Sequence, residues 1–467
     1  MSSHDTADNT HTRAIAEFVS GLTYEAIPDE VRARIKLLVL DSLGCALYAA
    51  NLPWSTIVRD TLAAVDTTPG VGIWGTAKRL SAPHAALANG TQVQGFELDD
   101  VHRQGVLHVG AVTLPAVLAV TELRPGLSGR ELLAAIVAGY EIGPRVGMCM
   151  GQEHIGQGWH SGATVGVFSA GAGAARALRL DADRTVHALG IAGTQSAGLM
   201  AAQYGAMVKR MHAGRSAQSG LYGALLAEQG FTGIVDVFEA PYGGFCTTFS
   251  RSTDRFDMSQ LSAGLGETFE TMRISLKFYS CVGSNHTTLD AVRAIRDRHP
   301  FALDELEKIV VHGSQVTADH VGWPYRPEGL TSAQLNLPFC VATLLIEGDA
   351  FVAQFTPDVA DDPERIALSR KVEVVEDPAI TARGSKFRHM VRVDVHLKDG
   401  SVETETREAP RGSEKSFASE ADIVGKFRKL AAGVLPDGQQ EALIEAVLGM
   451  ETLAHADRIP ELLTLRG

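Results

Sequence analysis

Apolar residues recur at helical spacing through the first half of the chain. Between Val31 and Ala50, Ile35, Leu38, Val39, Leu43 and Leu47 fall near the 3.6-residue period, which predicts a helix with one buried stripe. From Ile15 to about Ala263 the chain reads as helix after helix, separated by turns that carry Gly and Pro. Ser128 and Glu131 form a capping box ahead of Leu132–Ala138, each side chain satisfying a backbone N–H that the helix leaves unpaired. The character changes near Met272. Short β-rich runs follow at Ile309–Val311 and Val372–Val375. Val391, Val393, Val395 and Leu397 then alternate with Arg392, Asp394, His396 and Lys398 and lead into Asp399-Gly400, a period of two that ends in a hairpin turn. Helical runs such as Leu289–Asp297 and Leu335–Ile346 lie between these strands. From Ser419 the pattern is helical again, with Ile423, Phe427, Leu430 and Val434 at i, i+4, i+7 and i+11.

This succession predicts a mainly α protein with an inserted α+β domain. Residues 1–12 read as a loose tail, and 13–270 with 411–467 as one all-helical bundle domain built from both chain ends. Residues 271–410 read as a smaller α+β lid. A chain of 467 residues is too long for one simple core, and its 45% hydrophobic and 21% charged composition is that of a globular protein.

A net charge of −13, with no basic face in the sequence, argues against nucleic acid as a partner. It also means that an anionic ligand needs cations gathered locally. The opening MSSHDTADNTHTR is polar and does not read as a signal peptide. Ala188–Val208 carries no acidic or basic side chain. Its Thr194, Gln195, Ser196, Gln203 and Tyr204 nevertheless point to a packed, buried region rather than a membrane span. Cys45, Cys149, Cys246, Cys281 and Cys340 are scattered singly, which suits a reducing cytoplasm and gives no metal-site spacing.

Four stretches place polar residues in apolar surroundings. The first is Glu97-Leu98-Asp99-Asp100 with His102, Arg103 and His108, where neighbouring acids and imidazoles can set each other's pKa for acid–base work. Its competing reading is a solvated, capped loop. The second is His160, ahead of the small-residue run Gly162–Ala175, where taken alone a histidine that caps a buried helix is the better reading. The third is Lys209-Arg210-Met211-His212 with Arg215, read as a cationic seat for a carboxylate ahead of the helix that holds Leu221–Glu228. The uncharged residues before it imply burial, which weighs against a plain surface loop. The fourth is Lys277 to Cys281 with His286. A Cys281–His286 nucleophile pair is one reading of it, and a buried, inert thiol is the better one.

Together these stretches resemble the MmgE/PrpD family along nearly the whole chain. Leu40-Asp41-Ser42-Leu43-Gly44 and Pro83-His84-Ala85-Ala86-Leu87-Ala88-Asn89-Gly90 match its early signatures, and Glu97–Pro115 its acidic–His motif. His160, Lys209 to Arg215 and Lys277 to His286 follow in the family's order. The resemblance implies a helical domain with an inserted lid, a homodimer, and an active site between the domains that uses no metal or organic cofactor. It also implies dehydration, decarboxylation or epimerisation of small polycarboxylic acids. Two departures stand out: Glu97 where relatives carry Asp, and Val101 where they carry a Thr hydroxyl. The loop Val101–Leu107 is also one residue longer.

The chemistry so implied is a carbanion formed next to a carboxylate, which needs a base and cations. His108 and His160 are the candidate acid–base pair, with Glu97 or Asp99 orienting a histidine. Lys209, Lys277 and Arg215 are candidates for binding substrate carboxylates, with His212, Arg210, Cys281 and His286 beside them. The expected activity is a cofactor-independent lyase. The alternatives are an epimerase and an inactive carboxylate-binding protein on the same fold.

Overall fold

The computed structural model describes residues 11–151, 153–203 and 206–465, so most of the expected tail lies outside the described residues. The chain divides into two compact units. One holds residues 1–95, 99–275 and 419–467; the other holds 96–98 and 276–418.

In the first unit the main helices are α1 (Asp29–Ala49), α2 (Ala82–Val93), α3 (Val109–Leu123), α4 (Gly129–Met150), α5 (Gly166–Ala177), α6 (Ala182–Gly193) and α7 (Val208–Glu228). α3 is buried at every residue from Val109 to Thr121, as an all-round apolar helix must be. It packs with α4, α5 and α7 around it. The Ser128–Glu131 capping box starts α4 as the sequence predicts. α4 is long and apolar enough to cross a bilayer, yet it is buried along nearly its whole length and carries the Glu141–Arg145 pair inside. Close approach of α2 and α7 depends on glycine: a side-chain carbon on Gly214 would stand 2.1 Å from the Leu87 carbonyl oxygen. Two short ribbons interrupt the helices, and the second pairs Val101–His102 with Ile274–Ser275.

Three sequence expectations change here. Ala188–Val208 is not one packed segment: α6 ends at Gly193, Leu199 is 65% exposed and Met207 53% exposed. The Lys209–Arg215 stretch is not a loop ahead of a helix but the first two turns of α7, because Lys, Arg, Met and Ala carry a helix readily. Leu335–Ile346 breaks at Asn336, whose side chain accepts from Phe339 N–H at 2.8 Å and caps the helix that follows.

In the second unit, β1 (Leu306–Gly313), β2 (Val372–Glu376), β3 (Val391–Leu397) and β4 (Val402–Arg407) form a sheet in the order β2-β1-β3-β4. β1 and β2 run parallel and the other pairs antiparallel. Along β3 the valines and Leu397 are buried while Arg392, Asp394 and His396 are half-buried, so the period of two is that of the fold. The helices α8 (Gly283–Arg298) and α9 (Leu337–Glu347) belong to the same unit.

The chain then returns to the first unit through α10 (Glu420–Ala431), which packs on α1. A capping box between Ser419 and Asp422 starts it. It stops before Val434, because Gly433 turns the chain with φ of 76°.

Candidate active site

His108 owes its position to the turn before it. His102 and Leu107 close that turn with two backbone bonds, His102 N to Leu107 O at 2.8 Å and the return at 3.2 Å. The His102 ring is spent inside it. Gly105 N–H donates to Nδ1 at 2.9 Å, so Nε2 carries the proton and donates to Glu270 at 3.0 Å. His102 is therefore structural. Val106 adopts φ of 49° in this turn, a left-handed conformation that β-branched residues rarely take. His108 follows as the N-cap of α3.

The His108 Nδ1 lies 2.9 Å from the Asp100 carbonyl and 3.1 Å from Asp99 Oδ2. A carbonyl only accepts, so Nδ1 holds the proton and Nε2 keeps its lone pair in the neutral ring. The side chain is 18% exposed and Asp99 fully buried. That arrangement makes Nε2 a base, with a carboxylate placed to steady the imidazolium it becomes.

Behind His108 lies a buried charged cluster. Asp100 accepts from Gly110 N–H at 3.0 Å and from Tyr140 O–H at 3.1 Å. Burial and the neighbouring Asp99 push its carboxyl up to about 7. Gly110 is required there, since a side-chain carbon would stand 2.1 Å from Ser42 Oγ. Asp41 of α1 pairs with Lys426 of α10, Nζ to Oδ1 2.7 Å, and both are buried. Burial pulls the Lys426 pKa down, but Asp41, with Cys45 and Asp99, more than offsets it and holds it above the ordinary lysine value.

A second group forms where α7 meets the residues before α5. His160 caps the short Ser161–Thr164 helix, and its Nδ1 stands 3.1 Å from His212 Nδ1. Burial and the charge of Lys209 hold the His212 pKa down. Arg210 is buried over the Trp54 ring at 5.7 Å. Lys209 itself is half-buried, and Met207 and Val208 before it are exposed, so of the charged and imidazole side chains in this stretch Arg210 and His212 are buried while Lys209 and Arg215 are not. α7 has no acidic residue in its first turn, which leaves the positive end of the helix and two cations together. Arg215 is exposed and bonded to Gln218 within α7.

The second unit holds the remaining candidates. Lys277 Nζ lies 3.5 Å from Glu97 Oε2, both buried, and Glu97 adopts a left-handed φ of 57°. Of the two acids expected to orient a histidine, Asp99 is the one at the His108 ring, while Glu97 meets Lys277. His286 Nε2 donates to the Cys281 carbonyl at 3.1 Å. The Cys281 thiol is fully buried, and burial and Cys340 push its pKa well up, so it is a poor nucleophile.

Residues 13–257 match the MmgE/PrpD N-terminal domain and residues 279–452 the MmgE/PrpD C-terminal domain. The chain belongs to the MmgE/PrpD family. It is 33% identical to "Cis-aconitate decarboxylase-like protein oryM" of Aspergillus oryzae over 98% of both chains. It is 32% identical to the cis-aconitate decarboxylase of Aspergillus terreus, over 99% of this chain and 98% of the relative. The 2-methylcitrate dehydratase of Cupriavidus necator is 23% identical over 94% and 92%.

Within this MmgE/PrpD chain, sequence reasoning passed over Lys426, Tyr140 and the pairing role of Asp41. A signal for Lys426 existed: it stands beside Phe427 on the apolar stripe of Ile423, Phe427 and Leu430, where a lone charge demands a buried partner.

Proposed function

We propose that this MmgE/PrpD chain is a lyase that works on a small di- or tricarboxylic acid by acid–base chemistry, and that decarboxylation of cis-aconitate is the reaction to test first. The observation that carries this reading is His108, with Nδ1 committed to the Asp100 carbonyl, Asp99 beside it and Nε2 free. The names of two relatives aligned along almost the whole chain supply the substrate.

In this reading Lys209 and Arg210, at the positive end of α7, hold a substrate carboxylate. Within the second unit Lys277 has the same kind of role. The bond to the departing carboxylate breaks, CO₂ leaves, and the electron pair is delocalised toward a carboxylate held by cations. His108, as the imidazolium that Asp99 steadies, then delivers its Nε2 proton to carbon and takes a proton back from water for the next turnover, so electrons and charge balance without a redox partner. In this reading the side chains named carry the chemistry themselves. A second reading, epimerisation, draws on His108 and the His160–His212 pair as two separate acid–base groups.

Proton NMR in D₂O with cis-aconitate, and with citrate-, malate- and tartrate-like acids, tests the proposal. Loss of CO₂ with one deuteron fixed on carbon supports decarboxylation, and α-proton exchange without CO₂ loss supports the epimerase. Absence of both with every acid overturns the enzymatic reading. We further propose a cytoplasmic homodimer, joined through the exposed apolar residues Tyr222, Leu226, Phe231, Ile234 and Val235 at the end of α7. A monomeric mass by light scattering overturns that.

A further inference from the structure

Asp100 holds His108 in two ways. Its backbone carbonyl accepts from Nδ1 of the ring at 2.9 Å, and its carboxylate accepts from Gly110 N–H at 3.0 and 3.2 Å. Gly110 lies in the first turn of α3, the helix that His108 caps. The ring and the start of the helix are therefore tied to one residue. Asp100 is fully buried, so its side chain keeps its place through the donors around it.

One of those donors comes from outside the loop. Tyr140 of α4 is fully buried and donates its O–H to Asp100 Oδ2 at 3.1 Å. The contact is close-packed: a side-chain carbon on Gly110 would stand 2.8 Å from the Tyr140 hydroxyl oxygen. A phenylalanine would fill the same space without burying a hydroxyl, so the hydroxyl has its reason in the carboxylate it meets. Burial and Asp100 push the Tyr140 pKa well up, which makes this group a donor and not an acid.

The same bond bears on charge. Asp100 is faced by Asp99 and His108 of its own loop and by Asp41 and Arg34 of α1, while Lys426 of α10 faces Asp41 and Asp99. Burial, Asp99 and Asp41 oppose its ionisation, and Gly110 N–H and His108 favour it. A donor to the carboxylate adds to the second group. With the carboxyl pushed up to about 7, loss of one donor tips it toward the neutral form.

We propose that Tyr140 is a positioning residue for proton transfer at His108, acting through Asp100. Its hydroxyl holds the carboxylate that fixes the first turn of α3 and stands charged behind the imidazolium. The proposal rests on the reading of His108 as the group that delivers the proton, and adds a residue that the motifs quoted above do not contain.

Tyr140→Phe removes only the hydroxyl. Asp100 then ionises less readily, His108 loses a negative neighbour, and its ring gives up the proton more easily. The His108 titration, followed by proton NMR of the ligand-free chain and assigned with His108→Gln, should move to lower pH. Asp100→Asn removes the charge outright and should move it further, by about one unit. Turnover of Tyr140→Phe should fall roughly tenfold with KM little changed. The double variant decides the route, because a tyrosine that acts through Asp100 has nothing to add once Asn stands there. A His108 titration unmoved by either single substitution overturns the proposal. Full additivity in the double variant overturns it too, as does a Tyr140→Phe chain that fails to fold, since each makes Tyr140 a structural residue of α4. The titration needs no substrate. A shifted titration in a chain whose wild type turns over no acid therefore overturns the lyase reading and leaves the coupling of Tyr140, Asp100 and His108 in place.

Discussion

The Nδ1 atoms of His160 and His212 face each other at 3.1 Å. One must donate and the other accept, so the bonded pair carries at most one positive charge. Burial and Lys209 hold the His212 pKa down, so His212 resists taking up that charge. His212→Phe keeps a ring of similar size but removes the bond that fixes His160. We expect kcat to fall by up to about 10²-fold through lost orientation, with little change in KM. Steady-state kinetics that match wild type in a folded His212→Phe variant would show that the pairing is not used.

His154 reports on stability. It is buried, with Nε2 2.7 Å from Thr164 Oγ1, and burial lowers its pKa to about 4. The unfolded chain takes up this proton below about 6.5, and the folded chain resists until about 4. Stability is therefore lost as pH falls through that window. His154→Gln keeps a partner for Thr164 and cannot titrate. Relative to wild type it should gain about 3 kcal/mol between pH 7 and pH 4. Denaturant melts of both proteins across that range check it, and parallel curves would refute it.

Lys426 and Asp41 make a buried ion pair between the two ends of the chain. Lys426→Met leaves Asp41 buried without its cation, and should cost about 3–5 kcal/mol. Lys426→Met with Asp41→Leu removes both charges and should recover most of that loss. Urea unfolding of the two variants separates the cases. A single variant as stable as wild type would mean that the pair is dispensable.

The β3–β4 hairpin was legible because its alternation and its Asp-Gly turn are local, and the same holds for the Ser128 capping box. The break at Asn336 carried a local signal too, Asn two residues before Pro, but it was hidden inside a run of strong helix formers. Lys209 to Arg215 was misjudged as a loop because its charges drew the reading away from its helix propensity. The candidate site was legible as residue types and not as contacts. His160 and His212 both stood out, yet nothing local joins rings 52 residues apart. Lys426 and Asp41 are further apart still, and their pairing exists only once α10 packs on α1.

The last prediction separates a proton-transfer role from a binding role. His108 holds its proton on Nδ1 against the Asp100 carbonyl, and a Gln side chain at that position can still donate there. His108→Gln should therefore keep the turn and the start of α3, hold substrate with near-normal affinity, and lose turnover by roughly 10²–10⁴-fold. Lys209 sits in the first turn of α7, half-buried, where its charge reaches His212. Lys209→Met keeps the apolar stem and removes the charge. A charge-assisted contact is worth about 1.5–3 kcal/mol, so KM should rise tenfold to about a hundredfold while kcat changes less. The same substitution relieves His212 of a neighbouring cation, so any histidine limb in the pH–rate profile should move up in pH. A structural lysine would leave KM unmoved even where that limb shifts. Equal losses of kcat in both variants, with KM unmoved, would mean that Lys209 acts on the transition state and not on the bound substrate.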